Sequence, residues 1–184
     1  MIEIFPLQQL HVVDFKRVAT GYSSECKYVV EYSEKEGHIL FDLQHVKLSK
    51  PSVKKWEHDD NMMQNYQQML RKGYSFAAYD DNLLVGVLIA EPREWNGSLW
   101  VWEFHVAETS RHQGIGKRLM DCVIEKAKAD HFRTVVCETQ NTNGVAMQVY
   151  RKLGFRVEGI DISCYSNHDY PDGEIAIFMK RRLQ

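Results

Sequence analysis

Seven residues near the middle of the chain, Arg111-His112-Gln113-Gly114-Ile115-Gly116-Lys117, join a strand-like segment to a helix-like one. The first turn of a helix leaves backbone N–H groups without intrahelical partners. The helix dipole adds partial positive charge at the same point. Gly114 and Gly116 let an anion come close to the backbone, and Arg111, Lys117 and Arg118 add positive charge. The chemistry this pattern could do is binding of a phosphate or pyrophosphate. A simple turn, with glycines present for tight packing, reads the heptapeptide equally well. It is not a P-loop, because G-x-x-x-x-G-K-[ST] is absent, and G-x-G-x-x-G is not completed either.

A few side chains could move protons. Tyr150 carries a phenol that ordinarily titrates near 10, so it is protonated at neutral pH and can donate to a leaving group. Its helical spacing alone reads as an ordinary core tyrosine. Glu103 could take a proton from an amine, directly or through water, or serve only as a strand carboxylate in a salt bridge. His105 shares its face and is a second candidate, although a lone strand histidine is more often a hydrogen-bonded structural residue. Asn143 suits a helix N-cap. Glu138 and Gln140 close a strand, where ligands gather in sheets of this kind, but a buried network holding the Asn141 loop explains them as well. His58-Asp59-Asp60 suggests a metal in composition only, and with no third ligand none is expected. The four cysteines, Cys26, Cys122, Cys137 and Cys164, are widely spaced without C-x-x-C, which argues against a disulfide framework or a zinc site.

These groups need elements to position them. Alternation around Lys27–Tyr32 and His38–Leu43 predicts strands, and Pro51 predicts the opening of a helix running to Arg71. Val53, Trp56, Met63, Tyr66 and Leu70 would form its apolar face. Ser75–Tyr79 and Leu83–Ala90 read as a hairpin around Asp80-Asp81-Asn82, and Asn96-Gly97 as a second hairpin turn into Leu99–Ala107. On that strand Val101, Glu103 and His105 would share one face, with Trp100, Trp102 and Phe104 on the other. Ile115, Leu119, Val123 and Ala127 mark an amphipathic helix. Arg133–Glu138 reads as a strand, and Gly144–Leu153 as a helix with Val145, Val149 and Leu153 as its apolar line. Phe155–Cys164 and Glu174–Lys180 complete a β-β-β-α-β-α-β-β order, which implies a mixed α/β fold with helices against the faces of a sheet.

Composition bounds the rest. The 184 residues fit one domain, and 44% hydrophobic residues suffice for a core. Balanced charge, 25 acidic against 23 basic residues, argues against a dedicated nucleic-acid binder. No apolar run approaches the roughly 20 residues of a membrane helix, and Met1–Leu10 does not read as a signal peptide. A cytoplasmic location is the default expectation.

At two blocks the sequence resembles a known family. Arg111-x-x-Gly114-x-Gly116 matches the acetyl-CoA signature of the GNAT acetyltransferases, and Asn143-x-x-Ala146-x-x-x-Tyr150-x-x-x-Gly154-Phe155 resembles their second block. Glu138-Thr139-Gln140-Asn141, leading into Asn143, is most similar to the streptothricin acetyltransferase group. The resemblance covers Tyr74 to the C-terminus. It implies a GNAT-like acetyl-CoA-binding fold with a central, mostly antiparallel sheet, and acetyl transfer by direct attack of an amine on the thioester. It implies acetyl-CoA held by the backbone of Phe104 and Val106 and by the loop of Arg111, His112, Gln113, Gly114, Ile115, Gly116 and Lys117, with Asn143 bonding the pantetheine. Tyr150 becomes the candidate general acid, and Glu103 the candidate base or amine-orienting carboxylate. The acceptor would be a small-molecule amine, such as a streptothricin-like antibiotic. A protein N-terminus or lysine, and a non-catalytic acetyl-CoA-binding module, stand as alternatives. Acidic residues at Glu57–Asp60 and Asp169–Glu174 would suit a cationic acceptor. Because related proteins are often dimers, the resemblance also carries a homodimer as an expectation.

Overall fold

Asp81 and Asn82 both take left-handed backbone, with φ of 47° and 70°. A two-residue hairpin turn of primed type needs that conformation, so the expected hairpin closes there. Glu36 and Gly37 do the same at φ of 50° and 81°. The computed structural model describes residues 1–58 and 60–183. In chain order its elements are β1 (Ile2–Pro6), α1 (Val12–Val18), β2 (Gly21–Lys35), β3 (His38–Lys55), α2 (Asp60–Leu70), β4 (Phe76–Asp80), β5 (Leu83–Arg93), β6 (Ser98–Val106), α3 (Ile115–Ala129), β7 (Thr134–Gln140), α4 (Gly144–Lys152), β8 (Arg156–Asp161) and β9 (Ala176–Arg182). They form two compact units. The first holds Met1–Thr20, Lys55–Cys137 and Arg181–Gln184, and the second Gly21–Lys54 and Glu138–Lys180. Among the described residues no helix is long and apolar enough to cross a membrane.

In the first unit β1, β4, β5 and β6 pair antiparallel in that order, and β6 pairs parallel with β7 over Ser98–Val101 against Thr134–Cys137. The sheet is mixed and mostly antiparallel, as expected. β5 enters β6 through a 3-10 turn, Glu94–Asn96, followed by left-handed Gly97 at φ 61°. The hairpin foreseen at Asn96-Gly97 is there, in a longer turn. β6 departs from simple alternation. Ile89 lies opposite Glu103 but Ala90 lies opposite Val101, so Trp102 is an extra residue. Such a bulge reverses the faces on either side of it. Val101 therefore parts from Glu103 and His105, and Trp100 parts from Phe104, contrary to the alternation read from the sequence.

Each face of this sheet carries a helical layer. Val87 and Ile89, on the Glu103 side, are buried with Phe15 and Val18 of α1 and Met63, Tyr66 and Leu70 of α2. On the opposite side lies α3, with Ile115, Leu119, Val123 and Ala127 all buried, as the periodicity predicts. It packs so closely that a Cβ on Gly86 would come within 3.0 Å of Leu119.

The expected helix from Pro51 to Arg71 is corrected. β3 continues through Pro51 to Lys55, and the helix begins only at Asp60. The sheet β2–β3 has two strands, so β3 has an edge where a proline without an N–H does no harm. Val53 is 67% exposed, while Met63, Tyr66 and Leu70 are buried. The strands foreseen at Lys27–Tyr32 and His38–Leu43 are the middle and beginning of the longer β2 and β3. β1 and α1 were not legible in the sequence.

In the second unit β8 and β9 pair antiparallel, and α4 packs on β2. The apolar line expected on α4 is also corrected. Val145 and Val149 are 44% and 39% exposed, whereas Gly144, Met147 and Tyr150 are buried. Apolar residues lie on more than one side of this short helix, so periodicity could not choose the inward one. Contact with β2 chooses it: a Cβ on Gly144 would stand 2.6 Å from both the carbonyl oxygen and Sγ of Cys26. Gly144→Ala is therefore expected to lower unfolding free energy by about 1–3 kcal/mol, the usual cost of overpacking, as a lower urea midpoint at unchanged slope.

Candidate active site

The loop after β6 has the form an anion site needs. Gly114 caps α3 in left-handed backbone at φ 78°, a conformation that costs glycine little. A Cβ built there would meet nothing within 4 Å, so the space over this backbone is open. Arg118 N–H bonds to the Gly114 carbonyl at 3.0 Å, while the first-turn N–H groups before it have no intrahelical acceptor to reach. α3 has no acidic residue in its first turn. The basic side chains nearby are engaged: Lys117 with Asp121 at 2.6 Å, Arg118 with the Ile2 carbonyl at 3.1 Å, and Arg111 Nε with the Val106 carbonyl at 3.3 Å. The anion donors of this loop are accordingly its backbone amides. Arg111, His112, Gln113, Gly114 and Lys117 are exposed, Ile115 is buried in the core, and Gly116 sits against the Phe104 ring.

β6 supplies the adjoining backbone. Within the first unit it pairs with β7 over Ser98–Val101 against Thr134–Cys137. Ala107 N–H bonds across to Val85 of the β5 side at 2.9 Å. By strand alternation the N–H of His105 also turns toward β5, and those of Phe104 and Val106 turn away from it.

On the opposite face of β6 the structure joins Glu103 and His105. One carboxylate oxygen of Glu103 accepts from the Tyr66 hydroxyl of α2, and the other is bonded to His105 Nε2. Phe15 packs edge-on against both the Tyr66 and His105 rings, with centroids 5.4 and 5.9 Å apart. Sequence reasoning placed Tyr66 only as one of several apolar helix positions and missed its bond to the carboxylate. Nothing in a helical pattern separates a tyrosine that packs from one that also donates.

The second unit holds the remaining candidates. Asn143 Oδ1 accepts from Ala146 N–H at 3.1 Å, so the N-cap function read from the sequence is present. Tyr150 is 7% exposed and its ring lies 5.7 Å from that of Phe155. Asn141 is buried and fully used: its side chain donates to the Tyr28 carbonyl at 2.8 Å and accepts from Ile175 N–H at 2.9 Å. Glu138 accepts from the Tyr165 hydroxyl, and burial pushes its carboxyl above the usual range. Glu174 accepts from Thr142 at 2.8 Å and pairs with Lys54. Tyr22 joins them, its hydroxyl 2.8 Å from that of Thr142. Tyr22, Lys54 and Tyr165 carried no sequence signal. Asp169, counted with the acidic stretch, is buried and serves its own loop, accepting from the backbone N–H of Tyr165 and Ser166 at 2.7 and 3.1 Å. In the other acidic stretch, Asp59 and the side chain of Asp60 lie outside the described residues.

Comparison with known proteins gives a family match and shared folds. The model of the acetyltransferase (GNAT) family matches residues 38–155. Streptothricin acetyltransferase A of Bacillus subtilis (strain 168) is 36% identical over 132 residues, covering 72% of this chain and 74% of its own. The fold is shared with the crystal structure of nourseothricin acetyltransferase, at a TM-score of 0.74 and 24% identity over 100% of this chain and 99% of that one. It is shared as well with a Bacillus anthracis str. Ames protein solved in complex with acetyl coenzyme A, at a TM-score of 0.73 and 21% identity over the whole of both chains.

The environment of Glu138 gives a titration test. Burial raises its carboxyl, while the Tyr165 hydroxyl bond and the Lys54 charge pull it down. Removing that hydroxyl in Tyr165→Phe is expected to move the Glu138 midpoint further up, read by carboxyl-carbon NMR over an acid titration. A downward shift would mean the bond does not favour the ionised form.

Proposed function

Because the chain belongs to the acetyltransferase (GNAT) family, an acyltransferase family whose co-substrate is acetyl-CoA, we propose that it moves an acetyl group to a primary amine of a small molecule. A streptothricin-like antibiotic is the first acceptor to try, on the strength of the relative at 36% identity. The observation that carries the reading is the open left-handed cap at Gly114, at the start of a helix with no acidic residue in its first turn. The family match runs through parts of both units, and we take the two to act as one N-acetyltransferase domain.

The residues fit the co-substrate by their donor set. The amides of Arg111, His112, Gln113, Gly114, Ile115, Gly116 and Lys117 would hold the pyrophosphate, with no side-chain acid in the first turn to repel it. The backbone groups of Phe104 and Val106 would bond the pantetheine arm and the thioester carbonyl. Their N–H groups also suit the oxyanion that forms on attack. Asn143 uses Oδ1 in its cap, which leaves its amide hydrogens for the pantetheine. Attack by the neutral amine forms the C–N bond, and the C–S bond then breaks. Tyr150 would give its proton to the departing sulfur, and Glu103 would serve the acceptor side. The half-buried Glu138, close to Glu174 in the second unit, suits a cationic acceptor.

Calorimetric titration with acetyl-CoA is expected to show saturable one-site binding, lost in Gly114→Trp, whose side chain fills the open cap. An amine panel led by streptothricin then reads thiol release. Tyr150→Phe is expected to cut turnover roughly 10²–10⁴-fold, the usual size of an acid–base contribution, with acetyl-CoA binding kept. Near-native turnover in that variant rules out its acid role, and binding without turnover of any amine leaves only a co-substrate-binding module.

A further inference from the structure

We infer that His105 is the group that takes the acceptor's proton, and that Glu103 and Tyr66 are positioning residues acting through it. The inference rests on the acetyltransferase reading and deepens it. Both oxygens of Glu103 are already engaged, one by the Tyr66 hydroxyl and one by His105 Nε2. An ionised carboxylate only accepts hydrogen bonds, so the ring nitrogen facing it carries the hydrogen. Neutral His105 is thereby fixed as the Nε2–H tautomer, with the lone pair on Nδ1. No hydrogen bond to Nδ1 is found among the described residues, and the His105 side chain is 15% exposed. The ring is held on its side by the edge of Phe15, itself fully buried. His105 directly precedes Val106, whose carbonyl accepts from Arg111 Nε at 3.3 Å.

This arrangement gives a carboxylate that orients a base and stabilises its protonated form. The proton balance closes. A primary ammonium carries three hydrogens and the amide product one. The first proton goes to His105 Nδ1, forming an imidazolium paired with Glu103, and leaves from there to solvent. The freed nitrogen lone pair attacks the thioester carbon. The second proton ends on the coenzyme A sulfur once the C–S bond has broken.

The groups that face His105 are few. Its own strand presents Glu103, α2 presents Tyr66 and α1 presents Phe15. β5 presents Val87 from the opposite register position. A second titratable ring, His58, packs edge-on against Phe15 with centroids 4.8 Å apart; its Nε2 bonds the Ala19 carbonyl at 2.7 Å, and its buried Nδ1 has no hydrogen-bond partner among the described residues.

Nitrogen-15 NMR of the histidine rings, with H105Q identifying the signal, tests the arrangement without turnover. The wild-type ring is expected as the Nε2–H tautomer. In E103Q the imidazolium loses its counter-charge, so the midpoint falls. In Y66F the carboxylate loses a donor and holds the imidazolium more tightly, so the midpoint rises. The ascending limb of the kcat/KM pH profile with streptothricin is expected to move in the same two directions. H105Q loses that limb and roughly 10²–10⁴-fold in rate at neutral pH. A purely structural role for Tyr66 would lower rates without moving the limb. Y66F keeps the ring that packs on Phe15, so it tests the idea even if H105Q folds poorly. Midpoints unmoved in both E103Q and Y66F overturn the inference, as does a limb retained in H105Q with the wild type active. Absent turnover of streptothricin and every other amine by the wild type overturns the acetyltransferase reading and the base role with it, and is recognised by NMR shifts that still occur.

Discussion

The register of strand β6 against β5, which holds through Val106, fixes which way each residue of the candidate site points. Backbone N–H and C=O groups near a protein interior almost always find partners. By strand alternation the N–H groups of Phe104 and Val106 turn away from β5. The Val106 carbonyl is met by Arg111 Nε, which ties the end of the strand to the loop that follows.

The same strand places different chemistry on its two sides because of one inserted residue. The bulge at Trp102 puts Phe104 and Val106 toward α3 and the glycine loop, and Glu103 and His105 toward α1 and α2. A few consecutive residues thus face two layers: the glycine loop and α3 on one side, and on the other a carboxylate–imidazole pair walled by Phe15 and Tyr66. Rigid elements carry both. α3 is anchored by Ile115, Leu119 and Met120, all buried, so the first-turn amides are presented in a fixed direction.

In the second unit, burial is matched by satisfied polar groups. Asn141 spends both ends of its amide on backbone partners, and in its loop Asp169 accepts two backbone N–H groups at Oδ2 and the Ser166 hydroxyl at Oδ1. Glu138 differs, because burial raises its carboxyl despite the Tyr165 bond. A carboxylate kept at that cost is a group poised to gain from an approaching cation, whereas Asp169 has its oxygens already committed.

The sequence by itself determined what depends on local chemistry. The amphipathic line of α3, the glycine that starts it, the Asp81-Asn82 turn and the asparagine that caps α4 were legible because each is fixed by neighbours a few residues away. The two motif blocks added the family. Tertiary structure alone decided which face of β6 each residue occupies, since a single bulge reverses a period-two pattern without leaving a mark in it. It also decided that Pro51 lies in a strand rather than at a helix start, because its effect depends on whether that backbone needs a donor there. Only the fold chose Tyr150 over Val149 as the inward side of α4, through the close approach of Gly144 to Cys26. The bond from Tyr66 to Glu103 spans 37 residues of chain, and no local pattern specifies a contact at that distance.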